Sequence, residues 1–266
     1  MLTVALDQGP FERHTPQEAL ARLDEIARRA AAGGARLLVC PEMSVPGYNI
    51  GADIQRLAEP ADGPVGQRVR GIAAERGIAI VYGHPERDGE DVYNTAFLVS
   101  PAGDLLAAYR KTHLYGAMEQ AHFRPGSLPV VQATFDDVRI GLLICYDIEF
   151  PEPARAHALA GTEFLVVPTA LLPPEDAVAE TLVPARAYEN QIHVAYVDRC
   201  GREDELSYLG KTCLIAPDGT ELARAGSGEE LLFAAVDPSA TTAARQVNTQ
   251  LAERRPDLYR DLAEQP

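Results

Sequence analysis

Three residues with complementary chemistry each follow an apolar, strand-like segment of the chain. Glu42 comes after residues 37–41, Lys111 after residues 107–110 and Cys145 after residues 140–144. Ligand sites in α/β proteins gather beyond the carboxyl ends of strands, so we expect the three side chains to share one site. Any one of them alone is more often a packed or solvated side chain, and the interpretation depends on the combination.

This combination is what thiol-dependent amide hydrolysis requires. A thiolate is a strong nucleophile, and a neighbouring lysine lowers the pKa of the thiol and can stabilise the oxyanion. Ammonia leaves only when it is protonated, and water must then attack the thioester. A carboxyl group that accepts a proton and returns it serves both steps.

Strand-like and helix-like patterns alternate along the chain and would place these residues. We predict strands at residues 3–6, 36–40, 78–82, 92–99, 105–109, 138–144, 164–167, 193–197, 211–215 and 221–224. A capping box at Thr15-Pro16-Gln17-Glu18 predicts the first helix, and further helices are predicted at residues 64–76, 151–160 and 174–190, the last bent or interrupted by Pro184. We expect one layered α/β domain over residues 1–238 and a polar tail over residues 239–266.

Composition narrows the classes of function. The formal charge of −15 argues against nucleic acid and anionic membrane partners. No apolar run reaches the roughly 18 residues of a membrane span, and the N-terminus lacks a signal-peptide pattern, so a cytoplasmic protein is expected. The four cysteines (Cys40, Cys145, Cys200 and Cys213) form no CxxC pair or zinc-like spacing, so neither a metal nor another cofactor is expected.

Three segments in order resemble the signatures of the nitrilase superfamily of carbon–nitrogen hydrolases. They are Pro41-Glu42-Met43-Ser44-Val45-Pro46-Gly47-Tyr48-Asn49, Tyr109-Arg110-Lys111-Thr112-His113-Leu114, and residues 141–152 around Ile144-Cys145-Tyr146-Asp147. The resemblance implies a four-layer αββα sandwich and a Glu-Lys-Cys triad, with Cys145 as nucleophile, Glu42 as general base and acid, and Lys111 as the oxyanion-stabilising cation. Glu119 matches a second glutamate of the family, which would orient Lys111 and position the substrate. Family members commonly form homodimers or higher homo-oligomers, so the tail is a candidate interface.

Within the family, the chain looks most like aliphatic amidases, in particular 5-aminopentanamidases and related stereoselective amidases. The resemblance gives a set of candidate substrate-binding residues: Tyr48, Tyr146, Glu149, Thr169 and Ala170, with the backbone N–H of Tyr146 as oxyanion donor. Asp147 and Glu149 would either bind a distal ammonium of the substrate or cap the helix that follows.

Several alternatives stay open at this point. A hydrolase of N-carbamoyl amines, an ω-amidase, an acyl transferase and a catalytically silent binding protein could all use the same fold. The arginine-rich carboxylate recognition expected of N-carbamoyl amino acid hydrolases is missing after Cys145, and Cys145-Tyr146-Asp147 differs from the pattern of true nitrilases. A serine amidase is disfavoured because the chain has no G-x-S-x-G segment.

Overall fold

Two six-stranded sheets lie face to face in the computed structural model, which describes residues 1–10 and 12–260. Their inner faces share one apolar core, and helices cover both outer faces. This four-layer αββα arrangement confirms the predicted fold class.

The first sheet contains the strand that leads to Glu42 and the strand that leads to Lys111. Its strands in spatial order are β14 (Glu230–Val236), β1 (Leu2–Gln8), β2 (Leu37–Val39), β3 (Ala79–Asp88), β4 (Asp91–Val99) and β5 (Leu105–Arg110). On β2, Leu37 and Val39 face the core between the sheets, and Leu38 faces the covering helices. Because both faces of β2 are buried, its sequence is a continuous run of apolar residues.

The second sheet contains the strand that leads to Cys145. Its strands in spatial order are β13 (Glu221–Arg224), β12 (Cys213–Ile215), β9 (His193–Val197), β8 (Phe164–Pro168), β7 (Val138–Leu142) and β6 (Gln132–Phe135). In both sheets the central pairs are parallel and the outer pairs antiparallel. A separate short hairpin joins β10 (Arg202–Glu203) to β11 (Leu206–Ser207).

The helices are α1 (Pro16–Ala32), α2 (Asp53–Leu57), α3 (Pro64–Arg76), α4 (Gly116–His122), α5 (Pro151–Leu159), α6 (Val183–Asn190) and α7 (Pro238–Val247). The sequence predicts α1, α3 and α5 close to these bounds and α6 as part of a longer helix, whereas α2, α4 and α7 were not predicted. The capping box at the start of α1 is present, with reciprocal bonds between Thr15 and Glu18. Helices α1 and α3 pack on the first sheet, and α5 and α6 on the second. No helix within the described residues is long and apolar enough to cross a membrane.

One prediction about the second half of the chain is confirmed apart from its start, and another is wrong. The helix predicted at residues 174–190 begins at residue 176, and as predicted it is interrupted at Pro184, where a π-helical turn at Val178–Leu182 precedes α6. Pro184 lacks an N–H and its ring crowds the preceding turn, which accounts for this widening. The predicted polar tail instead begins with helix α7, and strand β14, which the sequence analysis missed, pairs with β1. Residues 261–266 of that tail lie outside the described part of the chain, and the division at residue 238 stays a prediction.

Candidate active site

The three predicted residues lie at strand ends that come from both sheets. Glu42 follows β2 and Lys111 follows β5 of the first sheet, whereas Cys145 follows β7 of the second. Cys145 begins a 3-10 turn, Cys145–Glu149, and its φ of 46° is in the left-handed region. A non-glycine residue rarely adopts that conformation, and such strain is concentrated at functional sites.

Lys111 is buried between two carboxylates. Its Nζ donates to Oε1 of Glu42 at 2.8 Å and to Oε1 of Glu119 at 2.6 Å, and all three side chains are fully buried. Burial alone would lower the pKa of Lys111, but the two carboxylates outweigh it, and the pKa is raised well above its ordinary value. A buried ammonium is tolerated only with such partners, so Lys111 carries a fixed positive charge.

Both carboxylate oxygens of Glu119 accept hydrogen bonds. Tyr48 donates its hydroxyl to Oε1 at 2.8 Å, and the backbone N–H of Tyr115 donates to Oε2 at 2.7 Å. Helix α4 carries Glu119 into contact with Lys111, as the expected orienting role requires. Tyr48 is therefore engaged with Glu119 through its hydroxyl, which is a different contact from the one expected of a substrate-binding residue.

Glu42 has one occupied oxygen and one free oxygen. Asn94 on β4 donates through Nδ2 to Oε1 at 2.7 Å, beside the contact from Lys111. Oε2 is buried and has no hydrogen-bond partner among the described residues. Burial raises the pKa of Glu42 to about 7, against the opposing effect of Lys111 and with a further rise from Glu119. This carboxyl group can therefore both accept and return a proton near neutral pH.

Cys145 is almost completely buried, with 6% of the residue's surface exposed. Burial and the charge of Glu42 raise the pKa of this thiol well above its ordinary value, while Lys111 and a hydrogen bond from the Ala170 backbone lower it. The thiol is thus neutral at rest and needs a base to become a nucleophile. The Ala170 contact agrees with the prediction that this residue lies at the site.

Asp147 is occupied within the protein and does not offer its carboxylate to a substrate. It accepts hydrogen bonds from the Tyr109 hydroxyl, the Thr112 hydroxyl, and the backbone and ring nitrogens of His113. It also accepts the backbone N–H of Ile144 at 3.0 Å, at the start of the turn that carries Cys145. Asp147 therefore holds the 3-10 turn that begins at Cys145, and it does not cap α5, the helix that follows, which has no side-chain cap.

Glu149 is half-buried and lies near the site. Burial and the charge of Glu175 raise the pKa of Glu149, and Lys111 lowers it. The rings of Tyr115 and Tyr146 pack edge to face with centroids 5.3 Å apart, and burial together with the charges of Glu175 and Glu149 raises the pKa of Tyr115. The Glu149 backbone carbonyl accepts from Arg186 at 2.8 Å, so an arginine on α6 holds the turn that begins at Cys145.

Thr169 contributes its backbone to the site. Its hydroxyl donates to the Val167 carbonyl at 3.1 Å, and its own carbonyl accepts the Glu42 N–H at 3.3 Å. Sequence analysis missed Asn94, although an amide within the apolar segment 92–99 was a signal, because a buried polar group needs a partner. Within residues 1–10 and 12–260, no group of three or more His, Cys, Asp or Glu side chains is arranged to hold a metal ion.

Comparison with known proteins places this geometry in a family. The family model described as carbon-nitrogen hydrolase matches residues 3–246. A protein of Pseudomonas protegens called hydrolase in pqqF 5'region is 44% identical over 98% of this chain and 92% of its own length. The (R)-stereoselective amidase of a Pseudomonas species is 37% identical over 88% of this chain and 85% of its own length.

Solved structures agree with these relatives. The crystal structure of an amidase from Nesterenkonia sp. superposes with a TM-score of 0.88 at 36% identity, covering 98% of this chain and 96% of that one. A mutant of the amidase from Nesterenkonia sp. AN1 shows the result of Michael addition of acrylamide at its active site cysteine.

Proposed function

The chain belongs to the carbon–nitrogen hydrolase family of the nitrilase superfamily, and we propose that it hydrolyses small aliphatic amides to a carboxylate and ammonia through a thioester on Cys145. The observation that carries the proposal is the buried cluster in which Lys111 bridges Glu42 and Glu119, with the Cys145 thiol under the influence of all three charges. The amidase names of the relatives support the same reaction class.

The acylation half begins at the free oxygen of Glu42. Oε2 takes the thiol proton as the sulfur of Cys145 attacks the amide carbonyl carbon, and the carbonyl π electrons move onto oxygen. Lys111 and the backbone N–H of Tyr146 stabilise the resulting oxyanion. Glu42 then returns its proton to the amide nitrogen and the C–N bond breaks. Ammonia departs, and the acyl group remains on Cys145 as a thioester.

The deacylation half uses the same carboxylate. Glu42 takes a proton from water, and the oxygen of that water attacks the thioester carbon. Collapse of the second oxyanion breaks the C–S bond, the thiolate of Cys145 recovers the proton from Glu42, and the carboxylic acid product leaves and ionises. Lys111 keeps its charge throughout, because it continues to donate to Glu119 at 2.6 Å while Glu42 carries the proton.

For the substrate, we propose an ω-amino amide such as 5-aminopentanamide. Glu149 supports this choice, because its half-buried carboxylate lies near the site, with Glu175 and Tyr115 nearby. The Tyr115 ring, which packs against Tyr146, offers an aromatic face for an ammonium. An ω-amidase or an N-carbamoyl amino acid hydrolase would instead have to accept a distal carboxylate next to these two acids, which is electrostatically unfavourable.

The test is ammonia release from simple aliphatic amides, ω-amino amides, ω-amides of dicarboxylic acids, N-carbamoyl amines and nitriles. Wild type and Cys145→Ala would be compared at equal concentration. Release from amides by wild type alone supports the thiol-dependent amidase, and preference for the ω-amino amides supports the proposed substrate class. Absence of cysteine-dependent release from every compound would overturn the proposal and favour an acyl transferase or a silent binding protein, which hydroxylamine as acceptor would then distinguish.

A further inference from the structure

We propose that the buried ion pair between Arg199 and Glu203 is a positioning device that sets the relative placement of Glu42 and Glu119. The inference rests on the proposed function, since it concerns the two carboxylates that flank Lys111. Arg199 follows β9, and Glu203 lies on β10, so neither belongs to the three segments that resemble the family signatures.

Arg199 fixes the backbone of the general base. Its side chain is completely buried, and Nη1 donates to the carbonyl oxygens of Glu42 and Met43, each at 3.1 Å. Met43 has a φ of 49°, in the left-handed region that a non-glycine residue adopts only when its surroundings hold it there. One guanidinium therefore holds two consecutive carbonyl groups, those of Glu42 and Met43.

Glu203 fixes the other end of the same segment. Its Oε1 accepts from Arg199 Nη2, and its Oε2 accepts the backbone N–H groups of Tyr48 at 3.0 Å and Asn49 at 2.7 Å. The Tyr208 hydroxyl also donates to Oε2, at 2.7 Å. A Cβ added at Gly47 would lie 3.0 Å from Oε1, so the backbone passes this carboxylate at close range.

The two ends of the segment lead to different carboxylates. At one end lies Glu42 itself, and at the other Tyr48 donates its hydroxyl to Glu119. One ion pair thus holds residues 43–48 at both ends and sets how Glu42 and Glu119 meet the single ammonium of Lys111. Burying two charges costs desolvation free energy and is weak evidence for a stabilising role, whereas the fixed fork of a guanidinium defines geometry.

The experiment uses Glu203→Gln and Arg199→Lys in the full chain, with Arg22→Lys as matched control. Arg22 also forms a bidentate pair with a buried acid, Asp7, at 2.6 and 2.8 Å, but contacts none of the groups around Lys111. A displacement of about 1 Å at a catalytic group can cost about 10²-fold in rate. We expect kcat for amide hydrolysis to fall about 10- to 100-fold in both test variants, with KM changed less than about threefold, and to remain unchanged in the control.

A second readout does not require turnover. The rate at which acrylamide alkylates Cys145 would be followed against pH by intact mass, with Cys145→Ala giving the background from the other thiols. If Glu42 is misplaced in the test variants, Cys145 should be alkylated more slowly than in wild type, and the midpoint of the alkylation rate against pH should shift. Nearly all of the protein should still be folded and open to alkylation. If the other variants fail to fold, Tyr208→Phe takes their place. It removes one contact of Glu203 without removing a charge, and it should change the alkylation profile less but in the same direction.

The outcomes separate this inference from the proposed function. If the test variants lose folded protein but the folded fraction keeps the wild-type kcat and alkylation profile, the pair is only structural and the inference is wrong. If wild type releases no ammonia from any amide, the proposed function fails. The pH profile of alkylation still tests the positioning role of the ion pair in that case. A shifted profile in the variants supports that role, and an unchanged profile overturns it.

Discussion

Asn94 Nδ2 lies 2.7 Å from Oε1 of Glu42, and Lys111 Nζ reaches the same oxygen at 2.8 Å. The two donors leave Oε2 of Glu42 as the oxygen that is free to take a proton. An amide on β4 therefore decides which atom of the carboxylate acts as the base.

Asn94→Ala should move the acid limb of the kcat/KM profile to higher pH. The Asn94 hydrogen bond stabilises the ionised carboxylate and lowers the pKa of Glu42, so its loss raises that pKa. A hydrogen bond to a charged group contributes about 1.5–3 kcal/mol, which corresponds to a loss of roughly 10- to 100-fold in kcat/KM. Asn190→Ala is the control, because its buried amide donates only to the Arg186 carbonyl, at 2.9 Å. An equal effect in both variants would argue against a specific role for Asn94.

In the wild-type enzyme, kcat/KM is expected to fall as the pH drops through about 7. Burial raises the pKa of Glu42 to about 7, and only the ionised carboxylate can accept the thiol proton. Activity is therefore present above this pH and lost below it. Initial rates at low substrate concentration from pH 5 to 9 would measure the midpoint, and a midpoint near the ordinary 4.5 of a glutamate would contradict the assignment of Glu42 as base.

Tyr48→Phe distinguishes an orienting role from a substrate-binding role. The variant loses the hydroxyl that donates to Glu119 at 2.8 Å. We expect kcat to fall about tenfold with little change in KM, since a net hydrogen bond contributes about 1 kcal/mol or more. Tyr82→Phe, another buried tyrosine that stacks on Phe97, serves as control. A rise in KM at constant kcat would restore the original prediction that Tyr48 binds substrate.

Glu149→Gln should change substrate preference more than overall rate. Loss of this carboxylate removes attraction for a distal ammonium, so kcat/KM for 5-aminopentanamide should fall about tenfold while that for pentanamide is unchanged. The exposed acid Glu152, three residues further along, provides the control Glu152→Gln. Parallel changes with both substrates would show that Glu149 does not recognise the ammonium.

His157 should make the protein less stable in mildly acidic solution. Burial lowers the pKa of His157 from 6.5 to about 4, so between these values the unfolded chain binds a proton that the folded chain does not. The free energy of unfolding therefore falls as pH drops from about 6.5 to about 4, by about 3 kcal/mol at 1.36 kcal/mol per unit of pKa. Urea unfolding of wild type and His157→Gln over this range would measure it. Equal pH dependence in the two proteins would contradict this origin.

The sequence by itself determined the layers of the fold and the residues that carry the chemistry. Buried strands such as β2 and the capping box before α1 are local patterns, and local patterns can be read from adjacent residues. Glu42, Lys111 and Cys145 stand out because each directly follows such a strand. The pairing of β14 with β1 was missed because it joins opposite ends of the chain, and no local pattern contains that partner.

Only the tertiary structure decided what each side chain contacts. Asn94 and Glu42 are 52 residues apart, and Arg199 meets the Glu42 carbonyl across 157 residues. The same holds for Asp147, whose carboxylate is occupied by partners at residues 109–113 that are more than 30 residues away along the chain. Hydrogen bonds and desolvation depend on which groups are brought together and how deeply they are buried. The pKa of Glu42, and with it the proposed chemistry, is therefore a property of the folded chain.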